Sequence, residues 1–148
     1  MRDMEPTGNY SARNSCNFST RFDARLDAVP AAQAFVAQGL ARNGVAHDLV
    51  ARSELILEEL MRNAILHGYR GDSLQPFWVG VDGACFWLED EAPPFDPLTA
   101  FCAHSGRDMG VPAAQLEVGG VGLLLIRQLA KQVEYVHTGE RNRITVSW

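Results

Sequence analysis

Hydrophobic residues along the chain recur with two periods, one typical of strands and one typical of helices. Over residues 16–26 they alternate loosely with polar residues, which predicts a strand. From there they recur every three or four residues, which predicts a helix with Asp27 as its N-cap and Pro30 in its first turn. The pair Asn43-Gly44 ends this run.

A second helix is predicted over residues 49–67, with Asp48 as its N-cap and Gly68 as its stop. Its apolar positions form one stripe that can face a sheet, at Leu49, Ile56, Leu60 and Ala64.

The second half of the chain predicts two strand pairs separated by a long loop. Aromatic-rich runs at 77–81 and 85–88 flank Asp82-Gly83, which is a hairpin signal. Prolines then end the ladder, and a mixed, polar stretch of about 20 residues, 97–118, predicts a lid. A helix over 123–131 and strands over 133–137 and 143–148 follow.

This order of elements predicts an α/β (α+β) two-layer sandwich, with a mixed or antiparallel sheet covered on one face by helices. The polar residues 1–15 predict a flexible N-terminal tail without the apolar stretch of a signal peptide, so one domain spans 16–148.

Composition narrows the class of protein. With 148 residues and 47% hydrophobic residues the chain is expected to fold as one globular domain. A formal charge of −5 argues against binding to nucleic acid or to an anionic membrane surface. No apolar run reaches the roughly 18 residues that span a bilayer, and three widely spaced cysteines favour free thiols. The expected location is therefore the cytoplasm.

Glu59, Asn63 and His67 recur every four residues on the second predicted helix, so they lie along one stripe. The amide oxygen of Asn63 suits Mg²⁺, and the carboxylate of Glu59 can accept a proton from a nucleophile. The alternative is a solvated polar face. That alternative explains Glu58 and Arg62 better, as an exposed ion pair.

Asp90 ends a predicted strand and precedes a run of prolines. A carboxylate there can accept a hydrogen bond from an exocyclic amine such as that of adenine. The alternative is a turn aspartate. Thr145, on the last predicted strand, either contacts the adenine side of a cleft or is an ordinary strand threonine.

Gly119, Gly120 and Gly122 precede or open a predicted helix, whose free N–H groups suit a polyphosphate. A lid hinge is the alternative. The spacing matches neither a P-loop nor a dinucleotide-binding fingerprint. Arg107, in the predicted lid, either reaches a terminal phosphate or is a solvated loop arginine.

Three segments in this order resemble the boxes of the Bergerat-type (GHKL) ATP-binding fold. Residues 58–69 (EELMRNAILHGY) resemble its asparagine box, 90–97 (DEAPPFDP) its adenine box, and 119–127 (GGVGLLLIR) its glycine box. Together, over almost the whole chain, they resemble the short serine kinases that double as anti-sigma factors.

The resemblance implies a role for each matching position. Glu59 is expected to be the general base and Asn63 the Mg²⁺ ligand. Asp90 is expected to bind the adenine amine, within a nucleotide site that also includes Ala92, Pro94, Phe95, Gly119, Gly120, Val121, Gly122, Leu123 and Thr145.

The resemblance also implies a function. The protein is expected to use Mg-ATP to phosphorylate a serine of a STAS-type anti-anti-sigma protein, to sequester a sigma factor and to form a homodimer. Phosphorylation adds about two negative charges, which breaks the contact between kinase and antagonist. The alternatives are an anti-sigma binding module with weak or no kinase activity, and an ATPase without a protein substrate.

One position departs from the family pattern. The adenine box usually has glycine where this chain has Ala92. A methyl group at a positive φ costs about 1–2 kcal/mol, whereas at a negative φ it is harmless.

Overall fold

The computed structural model describes residues 18–96 and 120–148, without the side chains of 120–123. The described elements, in chain order, are β1 (Phe18–Asp23), a 3-10 turn (Leu26–Ala28), α1 (Val29–Arg42), α2 (His47–Asn63) with a π-helical turn at its end (Ala64–Gly68), β2 (Pro76–Asp82), β3 (Cys85–Asp90), α3 (Gly120–Leu129), β4 (Gln132–Thr138) and β5 (Arg141–Ser147). The predicted tail 1–15 and the predicted lid 97–118 lie outside the described residues.

The five described strands form one sheet in the order β1-β2-β3-β5-β4, and each described pairing is antiparallel. Helices α1 and α2 pack on one face of it, and α3 packs on α2. The predicted two-layer α/β sandwich is therefore confirmed, with an antiparallel rather than a mixed sheet. Within the described residues, no helix is long and apolar enough to cross a membrane.

The core lies between the helices and the inner face of the sheet. Alternate strand residues point inward because successive side chains of a strand point to opposite faces. The largest fully buried side chains come from both layers: Phe77, Val79, Val81, Phe86, Leu88 and Val146 from the strands, and Val36, Leu40, Ile56, Leu57, Met61 and Ile65 from the helical segments.

The outer face of the sheet carries two tryptophans, each covered by an arginine. The guanidinium carbon of Arg141 lies 3.7 Å from the centroid of the Trp78 ring, and that of Arg143 lies 4.2 Å from the Trp87 ring. Glu89 bonds both arginines, at 3.3 Å and 2.8 Å. These cation–π and ionic contacts partly cover the two rings on the face of the sheet that α1 and α2 leave open.

Gly80 lets the Trp87 indole lie directly on the backbone of β2. A Cβ atom built at Gly80 would lie 2.2 Å from two carbons of that ring. The glycine is therefore required by the tryptophan on the neighbouring strand.

Several predicted element ends are wrong because tertiary contacts or backbone geometry decided them. The N-cap of α1 is Ala28 and that of α2 is Ala46, so neither Asp27 nor Asp48 caps a helix. Asp27 instead bonds Arg25. The hairpin turn is Gly83-Ala84 and not Asp82-Gly83, because Gly83 supplies the positive φ of 59° and Asp82 still pairs with Cys85.

We predict that Gly80→Ala lowers the free energy of unfolding by about 1–3 kcal/mol, because the methyl group overpacks against the Trp87 ring. Urea denaturation measures the loss. Ser19→Ala is the matched control, since Ser19 lies opposite Gly80 on β1 and is exposed. A Gly80→Ala variant as stable as this control would contradict the packing argument.

Candidate functional site

A cavity of about 260 Å³ lies between the end of α2 and the adjacent ends of β3 and β5. That volume is close to the lower limit for small-molecule pockets. Its walls combine apolar side chains with a few polar ones: Leu60, Asn63, Ala64, His67, Gly68, Arg70, Asp90, Ala92, Pro93, Pro94, Phe95, Asn142 and Ile144.

One wall of the cavity is the π-helical turn that ends α2. Tyr69 N–H donates to the Ala64 carbonyl at 2.8 Å, and Gly71 N–H donates to the Ile65 carbonyl at 2.8 Å. The wider turn keeps Asn63, one helical turn earlier, and His67 on the same side of the helix, and such turns are frequent at functional sites.

Asp90 forms the opposite wall at the end of β3 and is only 7% exposed. Its Oδ1 accepts hydrogen bonds from Ala92 N–H (3.0 Å) and from Asn142 Nδ2 (2.9 Å). The described residues bond Asp90 through Oδ1, so Oδ2 is the acceptor that they leave for a ligand in the cavity. Burial raises the pKa of Asp90, whereas the bonds from Asn142 and Ala92 and the nearby His137 oppose the rise.

Asn142 holds Asp90 in place, and the sequence reasoning missed it. Its Nδ2 donates to Asp90 Oδ1, to the Ala92 carbonyl at 2.9 Å and to the Pro93 carbonyl at 3.3 Å. It lies opposite Asp90 in the register of β3 and β5. That register is a long-range pairing, so no local pattern in the sequence could have indicated it.

Tyr69 is the second site residue that the sequence reasoning did not assign. Its hydroxyl donates to the Pro76 carbonyl at 2.6 Å and accepts from Glu91 N–H at 2.6 Å. Burial raises the pKa of Tyr69 to about 12, so the hydroxyl stays protonated and keeps both bonds. Tyr69 thus ties the end of α2 to the residue directly after Asp90.

Ala92 is accommodated by Gly68. Among the described residues Arg70 is the non-glycine residue with a positive φ, so Ala92 carries no left-handed strain. A Cβ atom at Gly68 would lie 2.7 Å from the Ala92 methyl group, which therefore occupies the space that the glycine leaves. The departure from the family pattern is harmless to the backbone.

The structure brings most of the described candidate residues together. Asn63, Asp90, Ala92, Pro94 and Phe95 all line the cavity. Phe95 is 53% exposed at its mouth. The predicted ion pair of Glu58 with Arg62 is present, at 3.9 Å.

Two candidates lie elsewhere. Glu59 is half-buried on α2, one turn before Asn63, but does not line the described part of the cavity. Thr145 as an adenine contact is wrong: on β5 the residues Asn142, Ile144 and Val146 are buried on the inner face, so Thr145 points to the outer face. The period of two along a strand decides this.

The glycine box opens a helix as predicted, since α3 begins at Gly120. Gly120, Val121, Gly122 and Leu123 form its first turn, and their side chains are not described. Gly119 and Arg107 lie outside the described residues.

Asn63 fits a magnesium site that is completed by a ligand. Over residues 18–96 and 120–148, no three acidic, histidine or cysteine side chains are grouped to hold a metal ion. A Mg²⁺ ion beside Asn63 would therefore take most of its oxygen ligands from phosphate groups and water, as this ion usually does.

The pH dependence of stability tests the buried state of Asp90. A raised pKa makes the folded form take up a proton more readily, so the wild type loses stability as the pH rises from about 4 through the raised pKa. Asp90→Asn cannot titrate. We predict that its stability relative to the wild type increases over this range, by about 1.4 kcal/mol for each pH unit that separates the pKa of Asp90 in the folded and unfolded chains.

Denaturation from about pH 4 to pH 7 measures this difference. Asp82→Asn is the control, because it makes the same substitution at an exposed position at the end of β2. A difference between Asp90→Asn and the wild type that does not change with pH would show that Asp90 is not destabilised by its burial.

We also predict that Gly68→Ala destabilises the fold by about 1–3 kcal/mol through its clash with Ala92. In the double variant Gly68→Ala/Ala92→Gly most of that loss is recovered, because the two methyl groups no longer compete. Thermal or urea denaturation of both single variants and the double variant gives the coupling. Simple additivity of the two costs would exclude the proposed fit.

Comparison with known proteins agrees with this geometry. A search among curated proteins finds no significant match. A family model described as a histidine kinase-like ATPase domain matches residues 22–148, from β1 to the end of the chain. The match covers most of the chain and every described wall of the cavity, so the protein belongs to the family of histidine kinase-like ATPase domains.

Proposed function

We propose that this protein is an anti-sigma factor and a serine/threonine protein kinase that uses Mg-ATP. Its substrate is a serine of a STAS-type anti-anti-sigma protein, and its other partner is a cytoplasmic sigma factor. Membership of the ATPase family supports ATP binding. The order of the three boxes, which resembles the short anti-sigma kinases, supports the finer assignment.

The observation that carries the proposal is the pairing of Asp90 and Asn63 across one cavity. Asp90 offers a fixed acceptor for the amino group of adenine. Asn63 offers an amide oxygen where the phosphates and Mg²⁺ would lie. The two ends of an ATP molecule thus meet two chemically different walls, and Phe95 at the mouth offers an aromatic surface for the base.

The transfer needs little covalent chemistry from the protein. The serine Oγ attacks the γ-phosphorus, the bond to the β–γ bridging oxygen breaks, ADP leaves and the serine proton passes to Glu59. Asn63 would help to hold Mg²⁺, which when bound would supply positive charge against the phosphate oxygens. Asn63 positions the phosphates, and the serine must enter beside Glu59, which lies one turn earlier on α2.

Charge determines whether the antagonist stays bound to the kinase. The unphosphorylated antagonist binds the kinase and displaces sigma, whereas the phosphoserine adds about two negative charges against a protein that is itself acidic, with a formal charge of −5. We propose that the active form is a homodimer, by the same resemblance.

The second candidate is an anti-sigma binding module without kinase activity. The position of Glu59 outside the described cavity wall favours it, since a general base must reach the hydroxyl group. Ala92 does not favour it, because its methyl group fits against Gly68.

We predict that Glu59→Gln lowers the rate of phosphoryl transfer by about 10²- to 10⁴-fold with little change in ATP affinity, because it removes a proton acceptor. Asn63→Ala should abolish both transfer and tight Mg-ATP binding. Calorimetry with Mg-ATP measures affinity, and phosphoserine formation on STAS-domain proteins from the same genome measures transfer.

Glu58→Gln is the matched control, since Glu58 is the neighbouring carboxylate and pairs with Arg62 on the exposed face. It should leave both activities unchanged. Transfer that survives both Glu59→Gln and Asn63→Ala would overturn the assigned mechanism. A wild type that binds ATP and sigma but never yields phosphoserine would establish the binding module instead.

A further inference from the structure

A buried carboxylate separates adenine from 6-oxopurines only while it is ionised. The ionised group accepts a hydrogen bond from the 6-amino group of adenine and repels the 6-oxo group of hypoxanthine or guanine. A protonated carboxyl can donate to that oxo group and loses the distinction. Something must therefore hold the charge on Asp90 in a site that is only 7% exposed.

We propose that Asn142 is the positioning residue that keeps Asp90 ionised with Oδ2 aimed at the ligand, and that it thereby makes the cavity select 6-aminopurine over 6-oxopurine nucleotides. The selectivity rests on the proposed function, because it requires that a purine nucleotide binds here. The effect of Asn142 on the ionisation of Asp90 does not depend on that function, so it can be tested without ligand.

The orientation of the Asn142 amide is set from both sides. Its two Nδ2 hydrogens point at three acceptors, Asp90 Oδ1 and the carbonyls of residues 92 and 93, at 2.9–3.3 Å. Its Oδ1 accepts from the Tyr135 hydroxyl at 2.6 Å and lies 3.2 Å from His137 Nδ1. A flipped amide would set oxygen against three oxygens, so the observed orientation is strongly preferred.

Asn142 is also only 4% exposed, and the donors and acceptor of its amide are already used within the protein. It therefore has no group to spare for a ligand, although it lines the cavity. Its influence passes through Asp90: together with Ala92 N–H it occupies Oδ1, and the described residues leave Oδ2 for a base.

Other titratable groups near Asp90 also affect its protonation. His137 and Tyr135 face it from β4, Tyr69 from the end of α2, and His67 and Arg70 share the cavity wall. Burial raises the pKa of Asp90, and the hydrogen bond from Asn142 is the largest opposing effect, ahead of Ala92 N–H and His137. Loss of Asn142 should therefore favour the protonated form.

The variant that tests the proposal is Asn142→Leu, which keeps the branch at Cγ but has no donor. Affinities for Mg-ATP and Mg-ITP are measured by calorimetry from about pH 5 to about pH 8. The wild type should favour ATP by at least about 100-fold. In the variant the ATP:ITP ratio should fall at least about tenfold, and the pH below which ATP binding is lost should rise by about one pH unit.

Asn43→Leu is the matched control. The Nδ2 of Asn43 donates to the Gly83 carbonyl at 2.8 Å, remote from the cavity, and its side chain is partly buried. This variant should lose stability and keep both the ATP:ITP ratio and the pH profile.

Asn142→Thr keeps a hydroxyl that can donate to Asp90. Its ATP:ITP ratio and its pH profile should therefore lie between those of the wild type and Asn142→Leu, which a merely structural role would not predict.

A measurement without nucleotide keeps the proposal testable if Asn142→Leu folds poorly. The carboxyl ¹³C signal of Asp90, assigned with Asp90→Asn, is titrated in the wild type and in Asn142→Thr and Asn142→Leu. Its midpoint should rise in the order wild type, Thr, Leu. An unchanged midpoint in Asn142→Thr together with an unchanged ATP:ITP ratio would overturn the role of Asn142.

The two proposals fail in different ways. A wild type that binds neither nucleotide overturns the proposed function and the selectivity with it, while the carboxyl titration still decides whether Asn142 holds the charge on Asp90. A wild type that binds ATP tightly, with an Asn142→Leu variant of equal ATP:ITP ratio and equal pH profile, overturns the inference alone.

Discussion

The hydrogen bond between Asn142 and Asp90, 2.9 Å long and buried, is the contact on which the site depends. It joins β5 to the end of β3 and sets which carboxylate oxygen remains for a ligand. The same amide also bonds the carbonyls of residues 92 and 93. One side chain therefore fixes both the acid and the backbone that follows it. Because two facing strands supply the pair, the sheet register positions the chemistry.

The end of α2 is fixed to the same strand by different means. Tyr69 bonds the backbone at the start of β2 and just after β3, and Gly68 lets the Ala92 methyl group approach the helix. The π-helical turn at the end of α2 keeps Asn63 and His67 in the wall of the cavity. The described walls thus combine the ends of a helix and two strands with the segment 92–95, whose carbonyls Asn142 bonds, and such fixed groups suit a reaction in which positioning does most of the work.

Burial of Asp90 brings stability and function into conflict. A carboxylate with little exposure costs free energy that a neutral amide at the same position would not. Its hydrogen bonds from Asn142 and Ala92 recover part of that cost. Because the described residues bond only Oδ1, a donor group of a ligand at Oδ2 would recover more of it. The outer sheet face shows the opposite case, since Glu89 there is paired with two arginines.

Local sequence determined the element types, the alternation of the strands and the chemical character of the boxes. Asn63 on a helix, Asp90 at a strand end and glycines before a helix were all readable because each depends on residues a few positions apart. Tertiary structure alone decided that Asn142 bonds Asp90 and that Tyr69 bonds the next residue, Glu91, because these contacts depend on strand register and helix docking. The prediction of Thr145 as an adenine contact failed for the same reason. Neighbouring residues of a strand point to opposite faces, and only the pairing of the strands determines which face meets the cavity. The helix caps differ for a related reason, since packing rather than a capping side chain determines where α1 and α2 begin.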